Sequence, residues 1–210
     1  MKEKRPRWAR REDRIIMNAV MENIMSRRSV RRFKPQQLSP EHLRQILEAG
    51  LWAPSAGGRQ SAIMLVCQDA EANEDMGRIN RKIFGGALKP GAHIVNEKQI
   101  SIAEDDSLLS AFYCAPTVIT IFAPEGHRWG INDCTVMAQN LMLAAWSLGI
   151  GSVHVTRAED TFATEQGQAL MKRAGIGPEY VARCSVCLGY PDGETGEGKP
   201  RRANRIFMVE

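Results

Sequence analysis

Residues 27–33 (RRSVRRF) have the side chains best suited to binding chemistry, because they place four guanidinium groups and a hydroxyl close together. Arginine binds phosphate oxygens through paired hydrogen bonds. Alternate residues of an extended segment point to the same side, so Arg27, Ser29 and Arg31 can converge on one anion. The pattern predicts an anion site, although a solvated run of charge is an equally simple interpretation.

A second segment, residues 54–60 (PSAGGRQ), lies between a predicted helix and a predicted strand. Its small residues allow backbone N–H groups to approach a ligand closely. It matches neither the dinucleotide-binding GxGxxG pattern nor the GxxxxGK[ST] phosphate loop. Taken alone, this segment predicts a turn.

Cys184 and Cys187 form a CxxC pair, a pattern found in zinc sites and redox sites. A structural zinc site needs four ligands, and no second CxxC or CxxH accompanies this pair. The surrounding residues are predicted to form a strand, in which positions three apart face opposite sides of the sheet. We therefore predict two buried free thiols, and no metal site.

The four histidines are scattered along the chain without metal-binding spacing. His127, beside Arg128 and Trp129, fits either the wall of a pocket or an ordinary loop, and the loop is the simpler interpretation. No Ser/His/Asp set follows from the spacing alone.

The elements that must position these residues alternate between helix and strand without a regular βαβ rhythm, which favours an α+β fold. Ser39 and Pro40 are a strong helix start. Residues 132–148 are apolar nearly all round, which is typical of a helix buried centrally or by a second subunit. Predicted helices cover residues 13–24, 40–51, 72–82, 132–148 and 164–174, and predicted strands cover 62–67, 117–122, 153–155 and 182–188.

The chain has 210 residues, of which 43% are hydrophobic and 25% charged, as expected for a globular domain. We predict a flexible basic arm over residues 1–12 and one domain over residues 13–210, with an excursion or lid at 70–112. The apolar runs are too short to span a bilayer, so no membrane partner is expected.

The formal charge of +4 is unevenly distributed. Residues 1–34 contain 12 Lys and Arg against 4 Asp and Glu, whereas the remainder contains 16 against 20. Because the chain after residue 34 has a small net negative charge, no nucleic-acid partner is expected. Binding of nucleic acid through the basic arm at residues 1–12 is kept as an alternative. The five irregularly spaced cysteines, with no secretory apolar stretch, predict free thiols and a cytoplasmic location.

Five segments together resemble the FMN-dependent nitroreductase family and occur in its order. They are residues 24–33 (IMSRRSVRRF), 46–60 (ILEAGLWAPSAGGRQ), 115–116 (AP), 132–155 (NDCTVMAQNLMLAAWSLGIGSVHV) and 188–202 (LGYPDGETGEGKPRR). The resemblance implies a nitroreductase-like α+β fold, with helices flanking a central, mostly antiparallel sheet. It also implies an intertwined homodimer with two FMN sites at the subunit interface, which would cover the apolar 132–148 helix.

The resemblance further assigns cofactor-binding residues. Arg27, Arg28, Ser29 and Arg31 match the residues that hold the FMN phosphate and the pyrimidine edge, with Arg27 and Ser29 at the phosphate. Arg31 is assigned to the N1–C2=O edge, where positive charge stabilises reduced flavin. The other assigned positions are Lys199 and Arg201 at the phosphate, Pro54, Ser55, Ala56, Gly58 and Gln60 in a loop from the other subunit, and His154, Val155, Thr156 and Arg157 near N5 and O4.

Three sites depart from the family pattern. Gly58 stands where asparagine is common, and Ser61 and Ala62 replace a common Pro-Trp pair. Thr156 and Arg157 replace a pair in which glycine is frequent. These departures concern the substrate side and the N5 hydrogen bond, and they leave the phosphate contacts intact.

The activity implied by the resemblance is a ping-pong oxidoreduction. NAD(P)H delivers hydride to FMN and leaves, and a small-molecule electron acceptor such as a nitroaromatic, a quinone or a free flavin takes its place. Alternatives within the superfamily are dehalogenation and flavin fragmentation. A non-enzymatic flavin-binding sensor is an alternative of a different class.

Overall fold

The computed structural model describes residues 18–85, 98–198 and 200–209, so the predicted arm at residues 1–12 lies outside the described residues. The helices of this part are α1 Ala19–Ser26, α2 Pro40–Leu51, α3 Ala70–Phe84, α4 Gly130–Ser147, α5 Ala158–Phe162 and α6 Glu165–Arg173. Its strands are β1 Ile63–Cys67, β2 Thr117–Pro124, β3 Gly151–Val155 and β4 Tyr180–Gly189. A 3₁₀ turn, Ala56–Gly58, precedes β1.

The strands form one antiparallel sheet in the order β1–β2–β4–β3. Ile63 of β1 lies opposite Phe122 of β2. At the other end of the sheet, Leu188 of β4 lies between Thr117 of β2 and Ser152 of β3. The α+β prediction, with helices around an antiparallel sheet, is confirmed.

The sheet separates two hydrophobic clusters, because successive side chains of a strand face opposite ways. On one face, Ile119 and Ile121 of β2 pack with Ile46 of α2 and Leu141 of α4. On the other face, buried side chains of α3, α5 and α6 complete the second cluster, which contains Met76, Val118, Phe122, Phe162 and Met171. Burial of both faces explains why β2 is mostly apolar rather than alternating between apolar and polar residues.

Short polar side chains decide where several helices begin. The hydroxyl of Ser39 accepts a hydrogen bond from the His42 N–H, as predicted for an N-cap. Asp69 caps α3 by accepting from the Ala72 N–H, so this helix begins two residues earlier than its predicted start at residue 72. The helix ends at Gly85, which has a left-handed φ of 71°.

Helix α4 buries one side and exposes the other within a single chain. Cys134, Ala138 and Leu141 are fully buried against the sheet, whereas Ile131 is 62% and Val136 37% exposed. Helix α1 contacts the C-terminal half of α4 and has no buried residue. Both helices therefore carry exposed apolar side chains.

The two cysteines of the CxxC pair lie on opposite faces of β4, as the strand period requires. Cys184 belongs to the cluster with α4, and Cys187 belongs to the cluster with α3, α5 and α6. Burial raises the pKa of Cys184 to about 12 and also raises that of Cys187. Both are neutral thiols at pH 7.

In the part of the chain that the structure describes, the helices are too short or too polar to cross a membrane.

Candidate functional site

The arginine segment (residues 27–33) is attached to the edge of the sheet. Ser29 forms a parallel β-bridge with Ser152 of β3, and the Val30 N–H donates to the Ser152 carbonyl at 2.9 Å. Val30 is fully buried, and a Cβ on Gly151 would lie 2.7 Å from the Val30 Cβ. Gly151 therefore lets the segment approach β3 closely enough to be fixed in place.

Three guanidinium groups meet at the start of this segment. The pKa of Arg27 is lowered by burial and by the neighbouring charges of Arg28 and Arg201. A Cβ on Gly198 would lie 2.7 Å from the Arg28 guanidinium carbon, so the C-terminal segment runs directly against this group. Lys199, the other predicted phosphate residue, lies outside the described residues.

The arginine segment has unused hydrogen-bond donors. Among the described residues, Arg27 Nη1, Arg28 Nε and Arg31 Nε are buried without a hydrogen-bond partner. No described carboxylate forms an ion pair with Arg27, Arg28 or Arg201. Buried donors and crowded like charges are costly unless an anion compensates for them, so the cluster fits a phosphate group.

Arg31 points to a different group of residues. Its Nη1 donates to the backbone carbonyl of Gln99 at 3.0 Å, and its N–H donates to Gln99 Oε1 at 2.6 Å. Gln99 is fully buried and also donates to the Glu194 carbonyl. The structure thus groups Arg28, rather than Arg31, with Arg27. No sequence signal points to Gln99, because it is 68 residues away from Arg31.

The end of β3 leads into residues 154–157, which the resemblance places near N5 and O4 of the flavin. His154 is half-buried, and burial lowers its pKa, so its imidazole is neutral at pH 7. Val155 is buried, and Thr156 is exposed. Arg157 has a left-handed φ of 64°, the conformation that glycine adopts most easily. The departure from the family's glycine therefore keeps the backbone conformation.

Side-chain contacts hold Arg157 in that conformation. Its Nη2 donates to Asn80 Oδ1 at 3.1 Å, and its guanidinium carbon lies 4.8 Å from the centre of the Phe84 ring. Asn80 in turn donates to the Thr156 carbonyl and to the Thr161 hydroxyl, both at 2.9 Å. Helix α3 thus fixes the backbone after β3, a role that the sequence analysis missed.

The loop at residues 54–60 is held by short contacts. The Ser55 hydroxyl accepts from the Gln60 N–H at 2.9 Å. Gly57 and Gly58 both have a φ of 65°, and a Cβ on Gly58 would meet nothing within 4 Å. Because asparagine is the non-glycine residue that best tolerates this conformation, the backbone explains why Gly58 replaces a common asparagine. Pro54 is exposed, and Ala56 begins the 3₁₀ turn.

Helix α4 anchors this loop through Asp133. The Ala56 N–H donates to Asp133 Oδ1 at 2.9 Å, and His127 Nε2 lies 3.1 Å from Asp133 Oδ2. His127 lies in the loop between β2 and α4 and also in the wall of a cavity, so both interpretations of it hold, but its side chain is only 8% exposed and contacts Asp133. A carboxylate in the first turn of an otherwise apolar helix, as at Asp133, is a signal that could have indicated this contact.

The two halves of the predicted site lie at opposite corners of the sheet. Ser29 adjoins the edge strand β3 at the level of Thr117, whereas the 54–60 loop precedes the other edge strand at the level of Phe122. Three strand spacings and five residues of strand length separate these corners by about 20 Å. Within one chain, the loop and the arginine segment therefore lie at well-separated positions.

No group of three or more metal-ligating side chains lies together in the described ranges. The donors of the site are cationic groups and backbone N–H groups, which suit an anion.

The family model described as "Nitroreductase family" matches residues 24–190. A protein of Archaeoglobus fulgidus named as an NADH dehydrogenase/NAD(P)H nitroreductase is 30% identical, over 85% of this chain and 88% of its own length. The NADPH-flavin oxidoreductase of Vibrio harveyi is 27% identical, over 92% of this chain and 74% of its own.

Two solved structures of nitroreductases are also similar to this chain. A nitroreductase with bound FMN from Bacteroides fragilis is 26% identical with a TM-score of 0.75, covering 92% of this chain and 100% of its own. A nitroreductase with bound FMN from Desulfitobacterium hafniense is 27% identical with a TM-score of 0.77, covering 93% of this chain and 100% of its own.

Proposed function

The chain belongs to the nitroreductase family, and on this basis we propose that it binds FMN and uses NAD(P)H to reduce a small-molecule acceptor. One observation carries the proposal. Buried guanidinium nitrogens of Arg27, Arg28 and Arg31 have no hydrogen-bond partner among the described residues, in the segment that the resemblance assigns to FMN. The FMN-bound relatives support the identity of the anion.

FMN, when bound, supplies the two-electron chemistry that transfers reducing equivalents from NAD(P)H to an acceptor. In this proposal Arg27, Arg28, Ser29 and Arg201 hold the phosphate. Arg31, fixed by Gln99, places a positive charge at the pyrimidine edge. The backbone after β3, fixed by Asn80, presents its N–H groups to the ring. These residues bind and orient, and none acts as a general acid or base.

We further propose that the active form is a homodimer in which the 54–60 loop of one subunit completes the site of the other. The separation of about 20 Å between the two half-sites supports this arrangement. Exposed apolar side chains support it as well, because Val20 of α1 is 65% and Ile131 of α4 62% exposed. Large exposed apolar patches commonly mark protein interfaces.

The acceptors proposed are nitroaromatics, quinones or free flavins, which react with the enzyme in a ping-pong order. The relative named NADPH-flavin oxidoreductase supports a flavin acceptor. We place the protein in the cytoplasm, because all five cysteines are free.

The deciding experiment is an absorbance spectrum of the purified protein, followed by anaerobic addition of NADPH and, separately, NADH. Flavin absorbance that bleaches with either nucleotide is the expected result. A protein that takes up no added FMN would overturn the cofactor assignment. Bound flavin that neither nucleotide reduces would favour the sensor alternative.

A further inference from the structure

A cavity of about 680 Å³ opens beside the 54–60 loop. Its walls are formed by the loop, by Ser61 and by the turn at residues 124–129. Cavities that bind small molecules have volumes of about 300–1,000 Å³, so this one is large enough for an aromatic compound. It adjoins Ala56, which the resemblance places against the flavin.

The wall of this cavity carries two exposed arginines, Arg59 and Arg128. Neither forms an ion pair with a carboxylate among the described residues. Glu125 is the one carboxylate among the lining residues, and His127 is already engaged with Asp133. The lining therefore carries net positive charge.

Further features of the wall favour a planar ligand with a polar substituent. Trp129 is 47% exposed, and the Arg128 guanidinium carbon lies 4.8 Å from the centre of its ring. This contact orients the indole and leaves ring surface on which another aromatic ring can stack. The Ser61 hydroxyl, also in the wall, is buried without a hydrogen-bond partner among the described residues.

We propose that this cavity holds the electron acceptor and that Arg59 and Arg128 select aromatic acceptors that carry a carboxylate or phosphate. The proposal rests on the proposed function, since it concerns the second substrate of the same site. For a nitro acceptor, NADPH is oxidised to NADP⁺. The nitro group takes up the two electrons with two protons, one of them from solvent, and becomes a nitroso group with release of water.

The test compares two probes of nearly equal shape, anionic 4-nitrobenzoate and neutral 4-nitrobenzamide. The variant Arg59→Gln/Arg128→Gln should raise the KM for 4-nitrobenzoate at least tenfold and change that for 4-nitrobenzamide less than twofold. Arg59→Lys/Arg128→Lys, which keeps both charges, should retain most of the preference for 4-nitrobenzoate over 4-nitrobenzamide. Arg44→Gln is the control, because this exposed arginine on α2 does not line the cavity.

A binding measurement separates this proposal from the cofactor assignment. Isothermal titration calorimetry with benzoate and benzamide needs neither flavin nor turnover. The calorimetry should show that the original protein binds benzoate and that the double Gln variant binds it at least tenfold more weakly. A protein that takes up no added FMN but binds benzoate in this way would overturn the proposed cofactor and with it the acceptor role, and would leave the cavity as an anion-binding site that depends on the two arginines.

Three outcomes would overturn the acceptor assignment. One is an equal change in KM for both nitro probes in the double Gln variant. Another is benzoate binding that this variant leaves unaltered. The third is a rise in the KM for NADPH, with unchanged KM for NADH and unchanged acceptor kinetics, which would assign the two arginines to the 2′-phosphate of the nucleotide instead.

Discussion

His127 Nε2 lies 3.1 Å from Asp133 Oδ2, and both side chains are less than a tenth exposed. The other carboxylate oxygen of Asp133 accepts from the Ala56 N–H. One carboxylate on α4 therefore ties together the turn at residues 124–129 and the 54–60 loop. Because a buried carboxylate is stable only when its oxygens are hydrogen-bonded, each contact depends on the others.

Removing either partner of this pair should destabilise the protein. We expect His127→Ala and Asp133→Ala each to lower the free energy of unfolding by about 1–3 kcal/mol, measured by urea denaturation. Asp133→Asn should lose less stability than Asp133→Ala, since the amide can accept from the Ala56 N–H and donate to His127. Thr135→Ala, on the exposed side of α4, is the control. Equal stability of all four variants would contradict the anchoring role.

The arginine segment gives a direct test of phosphate binding. Arg27→Ala/Arg31→Ala should weaken FMN binding at least a hundredfold, because charged hydrogen bonds contribute about 1.5–3 kcal/mol each. The control is Arg32→Ala, which removes one positive charge from an exposed neighbour and should bind FMN normally. Flavin fluorescence after ultrafiltration measures the affinity. Stoichiometric FMN in the double variant would refute the assignment.

Mixed dimers test whether the sites are composite. One subunit carries Arg27→Ala/Arg31→Ala, and the other carries Gly58→Trp, which places bulk where the loop is open. Each homodimer should bind little FMN. The heterodimer should bind about one FMN per dimer, because one of its two sites then has both half-sites intact. No recovery of FMN binding, or a monomeric holoprotein in sedimentation, would show that each site lies within one chain.

The buried cysteine pair should be dispensable. Cys184→Ala/Cys187→Ala is expected to reduce acceptors at a rate within twofold of the original protein, at a cost of about 1 kcal/mol of stability per site. In the native protein, thiol titration at pH 7 should detect Cys114 alone, because the other four are buried. Unfolding should expose all five. A loss of activity without a loss of stability would indicate a redox role for the pair.

Gly58 tests the left-handed backbone of the loop. Gly58→Ala should lower the free energy of unfolding by about 1–2 kcal/mol, since alanine is strained at a positive φ. Gly58→Asn should cost less, because asparagine tolerates this conformation and its side chain meets nothing within 4 Å of the Cβ. Thermal unfolding curves of the two variants provide the comparison. A larger loss for asparagine than for alanine would show that space, rather than φ, limits this position.

Sequence periodicity and capping residues located the helices and strands well, because these signals act over a few residues. Ser39 accepts from the His42 N–H at the predicted start of α2, and the run at 117–122 forms the first six residues of β2. The two-residue period of a strand alone predicts that the side chains of Cys184 and Cys187 face opposite sides of the sheet. The boundary of α3 was misplaced, because the capping role of Asp69 went unrecognised.

The order of five motifs in the sequence sufficed to identify the family, since each motif is a local string of residues. Tertiary structure alone decided which distant residues meet. Gln99 supports Arg31 from 68 residues away, and Asp133 holds Ala56 from 77 residues away. Such contacts depend on strand order and register across the sheet, which no local pattern encodes. The same topology sets the arginine segment and the 54–60 loop at opposite corners, so that one chain supplies half of each proposed site.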